Sequence, residues 1–195
     1  TLFLIDCNKK GLKKTPLRSI DEERTFFVAF DQVAVAADDI VGAIGFGKNI
    51  LEEVIPKMVV LKCGEMLGGL ERTFEMTIDY AKERKQFGKP LASLQVIQHY
   101  CVDMYTNVET ARLISYQAAS LLSDGISCAK EVAMAISWCS EAYKKSVLTA
   151  HEIHGAIGFC EEHDLGMFYK HAKVSELDWG GTRENNARVS EIMGM

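Results

Sequence analysis

The chain has 195 residues, of which 48% are hydrophobic and 25% are charged, and 22 basic against 27 acidic side chains give a formal net charge of -5. This profile is typical of a globular protein with a full-sized core, and it excludes a disulfide-built scaffold and a disordered tail. The acidic balance and the lack of a long Lys/Arg run argue against nucleic acid as the main partner, and no stretch approaches the roughly 18 uninterrupted apolar residues of a membrane span.

The first 40 or so residues have the pattern of short β-strands. Apolar runs alternate with turn residues, and in chain order these are TLFLID (1–6), Gly11, Pro16, the acidic turn 21–23, TFFVAF (25–30), VAVA (33–36) and the acidic turn 38–39. So few strands do not form a stable sheet alone, and the pattern therefore predicts a fragment of a β-domain. The run at residue 1 lacks the charged start and cleavage site of a signal peptide, and it suggests that the sequence begins inside a larger protein. A short native N-terminal strand is the other explanation of this run.

From Ile50 onward the hydrophobic period changes to that of helices. One stripe alternates spacings of three and four residues, and its members are Leu94, Ile97, Cys101, Met104, Val108, Ala111, Ser115, Ala118 and Leu122. Two similar stripes consist of Val132, Ile136, Cys139, Tyr143, Val147 and Ala150, and of Leu67, Leu70, Phe74, Thr77 and Ala81. Such stripes bury one face of a helix against other helices. Three long amphipathic helices are therefore predicted.

Short breaks separate these helices. We expect Gly88-Lys89-Pro90 to end the first, Ser123-Asp124-Gly125 the second and the run 155–166 the third, because glycine suits a helix C-terminus and proline cannot continue a helix. A further helix over about 165–177 and a short one from Thr182 complete the pattern. The predicted fold class is mainly α, an up-down four-helix bundle preceded by a small β fragment of an incomplete β-domain.

Neither disulfides nor metal sites are indicated. The six cysteines stand singly, mostly among apolar neighbours, and they are typical of reduced thiols in a cytosolic protein, which predicts a cytoplasmic location. No histidine has the glutamate three residues before it that di-iron bundles use. The sequence His151-Glu152-Ile153-His154 is one residue shorter than the zinc motif H-E-x-x-H, so we predict no metal ion.

A basic cluster interrupts this acidic chain at KERKQFGK. Its basic members are Lys82, Arg84, Lys85 and Lys89, with Gln86 and Phe87 between them. A guanidinium here could grip a phosphate bidentately while Phe87 offers a flat apolar surface to a ring. Positive charge near a helix C-terminus also complements the helix dipole, and the sequence alone leaves both interpretations open.

Two glycine-containing segments are further candidates for binding. In HEIHGAIGF (151–159) a long helix runs into Gly155 and Gly158, where a backbone can approach a ligand without a Cβ in the way. A helix C-cap and turn would explain the same residues. In WGGTREN (179–185) a glycine pair precedes a helix with free first-turn N–H groups, and Thr182 is a natural N-cap. Anion binding and plain capping both remain open there.

Together these segments resemble the C-terminal half of the flavin-dependent acyl-CoA dehydrogenase family. YAKERKQFGKPLASLQ (80–95) is similar to that family's R-x-x-F-G-x-x-L plus glutamine signature, HEIHGAIGF to its Q-x-x-G-G-x-G-[FY] loop, and GGTRE to its terminal G-T-x-E segment. The stretches TLFLID, TPLRSI and VAVAADDIVGAIGFG are similar to the end of the family's middle β-domain. The resemblance thus implies that 1–45 is the C-terminal part of that β-domain and 46–195 is the helical bundle.

The resemblance implies an oxidoreductase that desaturates the α,β bond of an acyl-CoA thioester. It also implies a dimer or tetramer, with FAD between the subunits, and an electron-transfer protein as partner. Arg84 would then hold the flavin pyrophosphate of a neighbouring subunit, with Gln86 and Phe87 beside it and Gln95 near the adenine half. The other cofactor residues that it implies are Glu152, Gly155 and Ala156, which would approach the same dinucleotide from another chain, and Thr182 and Glu184, which would line its ribose or adenine end.

Several residues depart from the family's pattern. Glu152 stands where the family usually has Gln and Ala156 where it has a second Gly, and a carboxylate facing a pyrophosphate costs on the order of 1 kcal/mol. The family's α-proton base is a Glu whose matching position here is Gly180 or about Met58, and neither residue accepts a proton.

Two nearby acids could replace that base. A shifted loop could present Asp178 or Glu176, and we take Asp178 as the candidate. Solvated acids at a helix end are the other explanation of both residues.

These departures leave two further functions open beside the dehydrogenase. One is a non-catalytic partner subunit of a hetero-oligomeric acyl-CoA dehydrogenase, which would complete its partner's flavin site through Arg84 and Gln95. HGAIGF followed by EHDLGMFYKHAK also resembles a branch whose members work as paired, unlike subunits. The other is a flavin monooxygenase on the same fold, which uses reduced flavin and oxygen and needs no α-proton base.

Overall fold

The computed structural model describes residues 1–21 and 23–195, so residue 22 of the predicted turn at 21–23 lies outside the described residues. These residues divide into two compact units, Thr1–Ile55 and Pro56–Met195. No helix in the described part of the chain is long and apolar enough to cross a membrane.

The first unit contains two antiparallel strand pairs. Strand β1 (Leu2–Phe3) pairs with β4 (Ile40–Val41), and β2 (Leu12–Leu17) pairs with β3 (Thr25–Phe30). The run TFFVAF is confirmed as a strand, whereas TLFLID is a strand only over Leu2–Phe3 and the prediction for VAVA (33–36) is wrong. Strand β2 was not predicted because LKKTPL lacks the alternation of apolar and polar residues that marks a half-buried strand. It forms because each of its residues pairs with one of β3.

Five α-helices are formed by the described residues. They are α1 (Gly47–Glu83), α2 (Gln95–Ser123), α3 (Ala129–His154), α4 (Leu165–Asp178) and α5 (Gly181–Ile192). Predicted stripe members form the buried faces of α2 and α3, where Met104, Val108, Ala111, Val132, Ile136 and Cys139 are buried. The predicted helices are thus confirmed.

Cross-helix contacts of the second unit establish the up-down arrangement. Arg112 of α2 donates to Glu71 of α1, and Trp138 Nε1 of α3 donates to Thr110 Oγ1 of α2 at 2.8 Å. Lys144 of α3 donates to Glu176 of α4 at 2.8 Å. Along α2 and α3, Asn107 contacts Ser146 whereas Ser115 contacts Cys139, so residue numbers rise on one helix as they fall on the next and the two helices are antiparallel. The predicted bundle is confirmed, with α5 packed on α3.

The cysteines are all free thiols, but they do not share one environment. Cys63, Cys128 and Cys139 are buried, whereas Cys7 and Cys160 are exposed. The buried three behave as small apolar core residues.

Helix α1 approaches Tyr143 of α3 closely at Gly69. The hydroxyphenyl ring of Tyr143 is fully buried against this glycine, and a Cβ at Gly69 would lie 2.6 Å from Tyr143 Cζ. Real Cβ atoms do not approach other atoms so closely, so only glycine fits beside this ring.

Gly69→Ala should therefore lower the free energy of unfolding by about 1 to 3 kcal/mol, the usual cost of overpacking a core. The matched control is Gly68→Ala in the same helix, where an added Cβ meets nothing within 4 Å. That substitution should stabilise the protein by up to about 1 kcal/mol, because alanine is the better helix former. Denaturant unfolding of both variants measures the difference, and equal effects would contradict the close approach.

Candidate functional site

The basic cluster forms a tight hairpin just after α1. The helix ends at Glu83, and β5 (Lys85–Gln86) pairs with β6 (Lys89–Pro90). Phe87 and Gly88 at the tip have φ values of 54° and 77°, as a type I′ two-residue turn requires. The expectation that Gly88-Lys89-Pro90 itself ends the helix is therefore wrong, since the helix has already ended before the hairpin begins.

This hairpin presents a free cation beside an exposed aromatic ring. Arg84 is exposed, and within the described residues its guanidinium has no hydrogen bond or ion pair. The Phe87 side chain is 88% exposed, although its left-handed backbone is costly for a residue with a Cβ. Arg84 is thus available for an anion and Phe87 for a flat ring, and Gln86 and Gln95 are exposed nearby along the chain.

The glycine loop after α3 is fixed against the end of α1. Helix α3 ends at His154, and Gly155 has φ 64°, a conformation that favours glycine. Tyr80 of α1 stacks on the His154 ring with centroids 4.3 Å apart and donates to the His154 carbonyl oxygen at 3.3 Å. Burial and the neighbouring His163 lower the pKa of His154, so this imidazole stays neutral and can stack.

A second small core holds these two segments at the same end of the bundle. Its buried residues are Ala81 of α1, Met104 of α2, Ala150 and Ile153 of α3, and Leu165 of α4, with Leu91 and Ile97 packed against them. The structure therefore brings together seven of the predicted site residues at this end, namely Arg84, Gln86, Phe87, Gln95, Glu152, Gly155 and Ala156. The carboxylate of Glu152 and the Cβ of Ala156 are exposed there.

The remaining predicted site residues lie at the other end. Asp178, at the end of α4, pairs with Lys62 of α1 at 3.4 Å. From Lys62 to Glu83 the helix continues for 21 residues, which at about 1.5 Å each is roughly 30 Å. Asp178, Thr182 and Glu184 of one chain therefore cannot meet the same small group as its Arg84.

The start of α5 differs from the predicted capping. Gly180, not Thr182, is the N-cap residue, and its backbone is left-handed with φ 95°. The prediction of Thr182 as N-cap is wrong because the helix begins one residue before it. The turn is instead fixed by buried Asn185, whose Nδ2 donates to the carbonyl oxygens of Trp179 and Gly181 at 3.0 Å. Nothing in the sequence marked Asn185, since most asparagines are exposed.

The two acids near this turn have different surroundings. Glu176 accepts hydrogen bonds from Lys144 and Lys173, both at 2.8 Å. Although burial alone would raise the pKa of Glu176, these two lysines hold it below its usual range. Asp178 is more exposed and pairs with Lys62. Of the two candidate acids, Asp178 is thus the more accessible proton acceptor.

Comparison with known proteins identifies the family to which the chain belongs. Residues 45–190 match the family described as "Acyl-CoA dehydrogenase, C-terminal domain". The chain belongs to the acyl-CoA dehydrogenase family. A relative from Dictyostelium discoideum, the "Probable short/branched chain specific acyl-CoA dehydrogenase", is 32% identical over 180 residues, which is 91% of this chain and 44% of that protein.

Two further matches are to proteins whose names refer to a complex. The relative "Caffeyl-CoA reductase-Etf complex subunit CarC" of Acetobacterium woodii is 26% identical over 98% of this chain and 51% of that protein. The crystal structure of the ChsE4-ChsE5 complex from Mycobacterium tuberculosis superimposes with a TM-score of 0.92 at 26% identity, over 98% of this chain and 51% of that one. The chain thus spans about half the length of the relatives that it matches.

Proposed function

We propose that the whole protein is an FAD-dependent acyl-CoA dehydrogenase, which forms the α,β double bond of an acyl-CoA thioester. The observation that carries this proposal is the family match over 45–190. It is supported by the Arg84 side chain, which is exposed and has no partner within the described residues, at the end of α1 that contacts the Gly155 loop through Tyr80 and His154. Family membership gives the reaction type, and the free cation and exposed ring are what a dinucleotide needs.

The residues at the Arg84 end fit a flavin dinucleotide. Arg84 would bind the pyrophosphate, Gln86 and Gln95 would donate hydrogen bonds, and Phe87 would cover a ring. The backbone at Gly155 and Ala156 would approach the same group, with Glu152 at its polar edge. Because Thr182 and Glu184 lie roughly 30 Å away along the bundle, we infer that they serve a dinucleotide bound by another copy, at its ribose or adenine end.

Asp178 is proposed as the base that accepts the α-proton. Met58 lies one helical turn before Lys62, on the same face of α1, and Lys62 contacts Asp178. Gly180 follows Asp178 by two residues. Asp178 is thus connected to both positions at which the family resemblance expects a base, through Lys62 to the helix that carries Met58 and through two residues of chain to Gly180. Bound at the Arg84 end, FAD would supply the acceptor for the hydride that leaves the β-carbon. Asp178 takes the α-proton, and the electron pair of that C–H bond becomes the new double bond.

Subunit partners and location are also proposals. We expect a homo-oligomer of two or four chains, or a hetero-oligomer with a related subunit, because the cofactor residues of one chain lie at two distant ends. An electron-transfer protein is the expected oxidant of the reduced protein, in keeping with the name of the CarC relative. A cytoplasmic location is proposed because single cysteines are typical of a reducing compartment.

A non-catalytic partner subunit is the second candidate. It is favoured by Met58 and Gly180, since neither can accept a proton, and by the likeness to a structure whose name joins two proteins, ChsE4 and ChsE5. In that case Arg84 and Gln95 would complete a flavin site whose base belongs to the partner chain.

One experiment separates these functions. The protein is purified at its natural full length, its chains are identified, and its visible spectrum is recorded before and after a saturated acyl-CoA is added without oxygen. One kind of chain with a flavin spectrum that bleaches supports the dehydrogenase. Two kinds of chain, with bleaching that is unchanged when Asp178 is replaced by asparagine, support the partner subunit. A bound flavin that bleaches only with a pyridine nucleotide, with oxygen then consumed, supports the monooxygenase.

Arg84→Ala in that protein should weaken FAD binding by about 1.5 to 3 kcal/mol, the range for a hydrogen bond to a charged group. Equilibrium titration of the flavin-free protein with FAD measures the dissociation constant. The control is Lys82→Ala, which removes a charge from the last turn of α1, where Lys82 pairs loosely with Asp79 at 4.0 Å. If both variants bind FAD as the parent does, the basic cluster serves only the helix dipole.

A further inference from the structure

A continuous set of polar contacts connects the core of the bundle to Asp178. Tyr143 of α3 and Nδ1 of His171 are 3.2 Å apart, and His171 Nε2 lies 2.5 Å from Glu65 Oε1. Lys62 donates to the same Glu65 oxygen at 3.1 Å and pairs with Asp178 Oδ2 at 3.4 Å. Three helices, α1, α3 and α4, thus contribute to one network that ends at the candidate base.

The inner end of this network is buried in the core of the bundle. Tyr143 is fully buried, and burial raises the pKa of its hydroxyl, so the group is a neutral donor. With the His171 proton on Nε2, toward Glu65, Nδ1 accepts from Tyr143. The Glu65 carboxylate is therefore oriented by His171, with the Ser175 hydroxyl 3.4 Å from the same His171 nitrogen.

Lys62 transmits this orientation to Asp178. Its side chain is only 13% exposed, so most of the stem is packed against protein, and its ammonium lies between the carboxylates of Glu65 and Asp178. Burial by itself would lower the pKa of Lys62, but Glu65 and Asp178 raise it, and the group remains a cation. A free lysine side chain would sample many rotamers, whereas this one is bound on two sides.

We propose that Lys62 is a positioning residue that fixes the Asp178 carboxylate for proton removal, with Glu65, His171 and Tyr143 setting its direction. This inference rests on the proposed function. The ion pair between Lys62 and Asp178 would not by itself imply such a role, because one contact between an exposed lysine and an exposed aspartate contributes little free energy. The second carboxylate, the low exposure and the continuation into the core are what distinguish Lys62 from a surface ion pair.

The test compares Lys62→Met with Lys62→Arg in the full-length protein with flavin bound. Met keeps the length of the stem without the charge, whereas Arg restores a donor for both carboxylates. Rapid mixing with saturated acyl-CoA should show flavin bleaching slowed roughly 10- to 100-fold in Lys62→Met, the scale for a misplaced catalytic group. The dissociation constant of the acyl-CoA should stay unchanged, and Lys62→Arg should recover most of the rate.

A double variant shows whether Lys62 acts through Asp178. In an Asp178→Asn background, Lys62→Met should cause no further loss of rate, since there is no base to position. An equal loss in both backgrounds overturns the inference, as does an unchanged rate in Lys62→Met. If Asp178→Asn itself keeps the parent rate, the inference also fails, while bleaching by acyl-CoA still supports the dehydrogenase.

A measurement without turnover completes the test. Crystal structures of the flavin-free full-length protein should show the Asp178 carboxylate in one conformer, and in several conformers in Lys62→Met. One unchanged Asp178 conformer in that variant overturns the inference even where no acyl-CoA bleaches the flavin. Circular dichroism of each variant verifies that the bundle is folded.

Discussion

Asp178→Asn should reduce the rate of flavin bleaching by about 10²- to 10⁴-fold, the usual contribution of a positioned general base. Asparagine has the shape of aspartate, and its Oδ1 can still accept from Lys62, but its amide does not accept a proton at neutral pH. The flavin should therefore stay bound with an unchanged spectrum. Single-turnover mixing with a saturated acyl-CoA under anaerobic conditions measures the rate.

The matched control for this prediction is Glu176→Gln. Glu176 lies two residues earlier on α4 and already accepts from Lys144 and Lys173, so its loss should leave the rate within a few-fold of the parent. A full rate in Asp178→Asn would remove Asp178 as the base. Bleaching would then require a carboxylate from elsewhere, and a second kind of chain in the preparation would identify the partner-subunit function as the correct one.

The helices were predictable because their signal is local. A helix that packs on other helices needs apolar residues every three or four positions, and this spacing was visible from Leu67 to Ala150. Strand β2 was not predictable in this way, since its formation depends on pairing with β3 and not on its own pattern. The hairpin after α1 was missed for a related reason, because a left-handed phenylalanine at its tip is rare.

The candidate site could be predicted only in part from the sequence. The family resemblance indicated Arg84, the Gly155 loop and the 179–185 segment. The sequence does not show that the end of α1 near Arg84 contacts the Gly155 loop through Tyr80 and His154. The sequence also does not show that the 179–185 segment lies at the opposite end of the bundle. Lys62 and Glu65 carried no signal at all, because a lysine and a glutamate three residues apart are common on any exposed helix face. Their importance arises from His171 and Asp178 on α4, which only the fold brings near.

Tyr143→Ala should lower the free energy of unfolding by about 3 to 5 kcal/mol, the range for removing a large buried aromatic side chain. The ring is fully buried between α1 and α3, so its loss leaves a cavity that the packed helices cannot close. Tyr143→Phe keeps the ring and removes only the contact with His171, and it should cost about 1 kcal/mol. Denaturant unfolding of the two variants separates the packing of the ring from the hydrogen bond.

Gly69 makes this prediction more specific. An alanine at residue 69 collides with the ring in the parent protein, and the three atoms nearest to its Cβ all belong to Tyr143, so the collision is relieved once Tyr143 is alanine. The two substitutions should therefore be non-additive: Gly69→Ala destabilises the parent, yet it should stabilise Tyr143→Ala by partly filling the cavity and by favouring the helix. Simple additivity in the double variant would show that the ring does not rest on Gly69, and the inner anchor of the network that leads to Lys62 would then be misplaced.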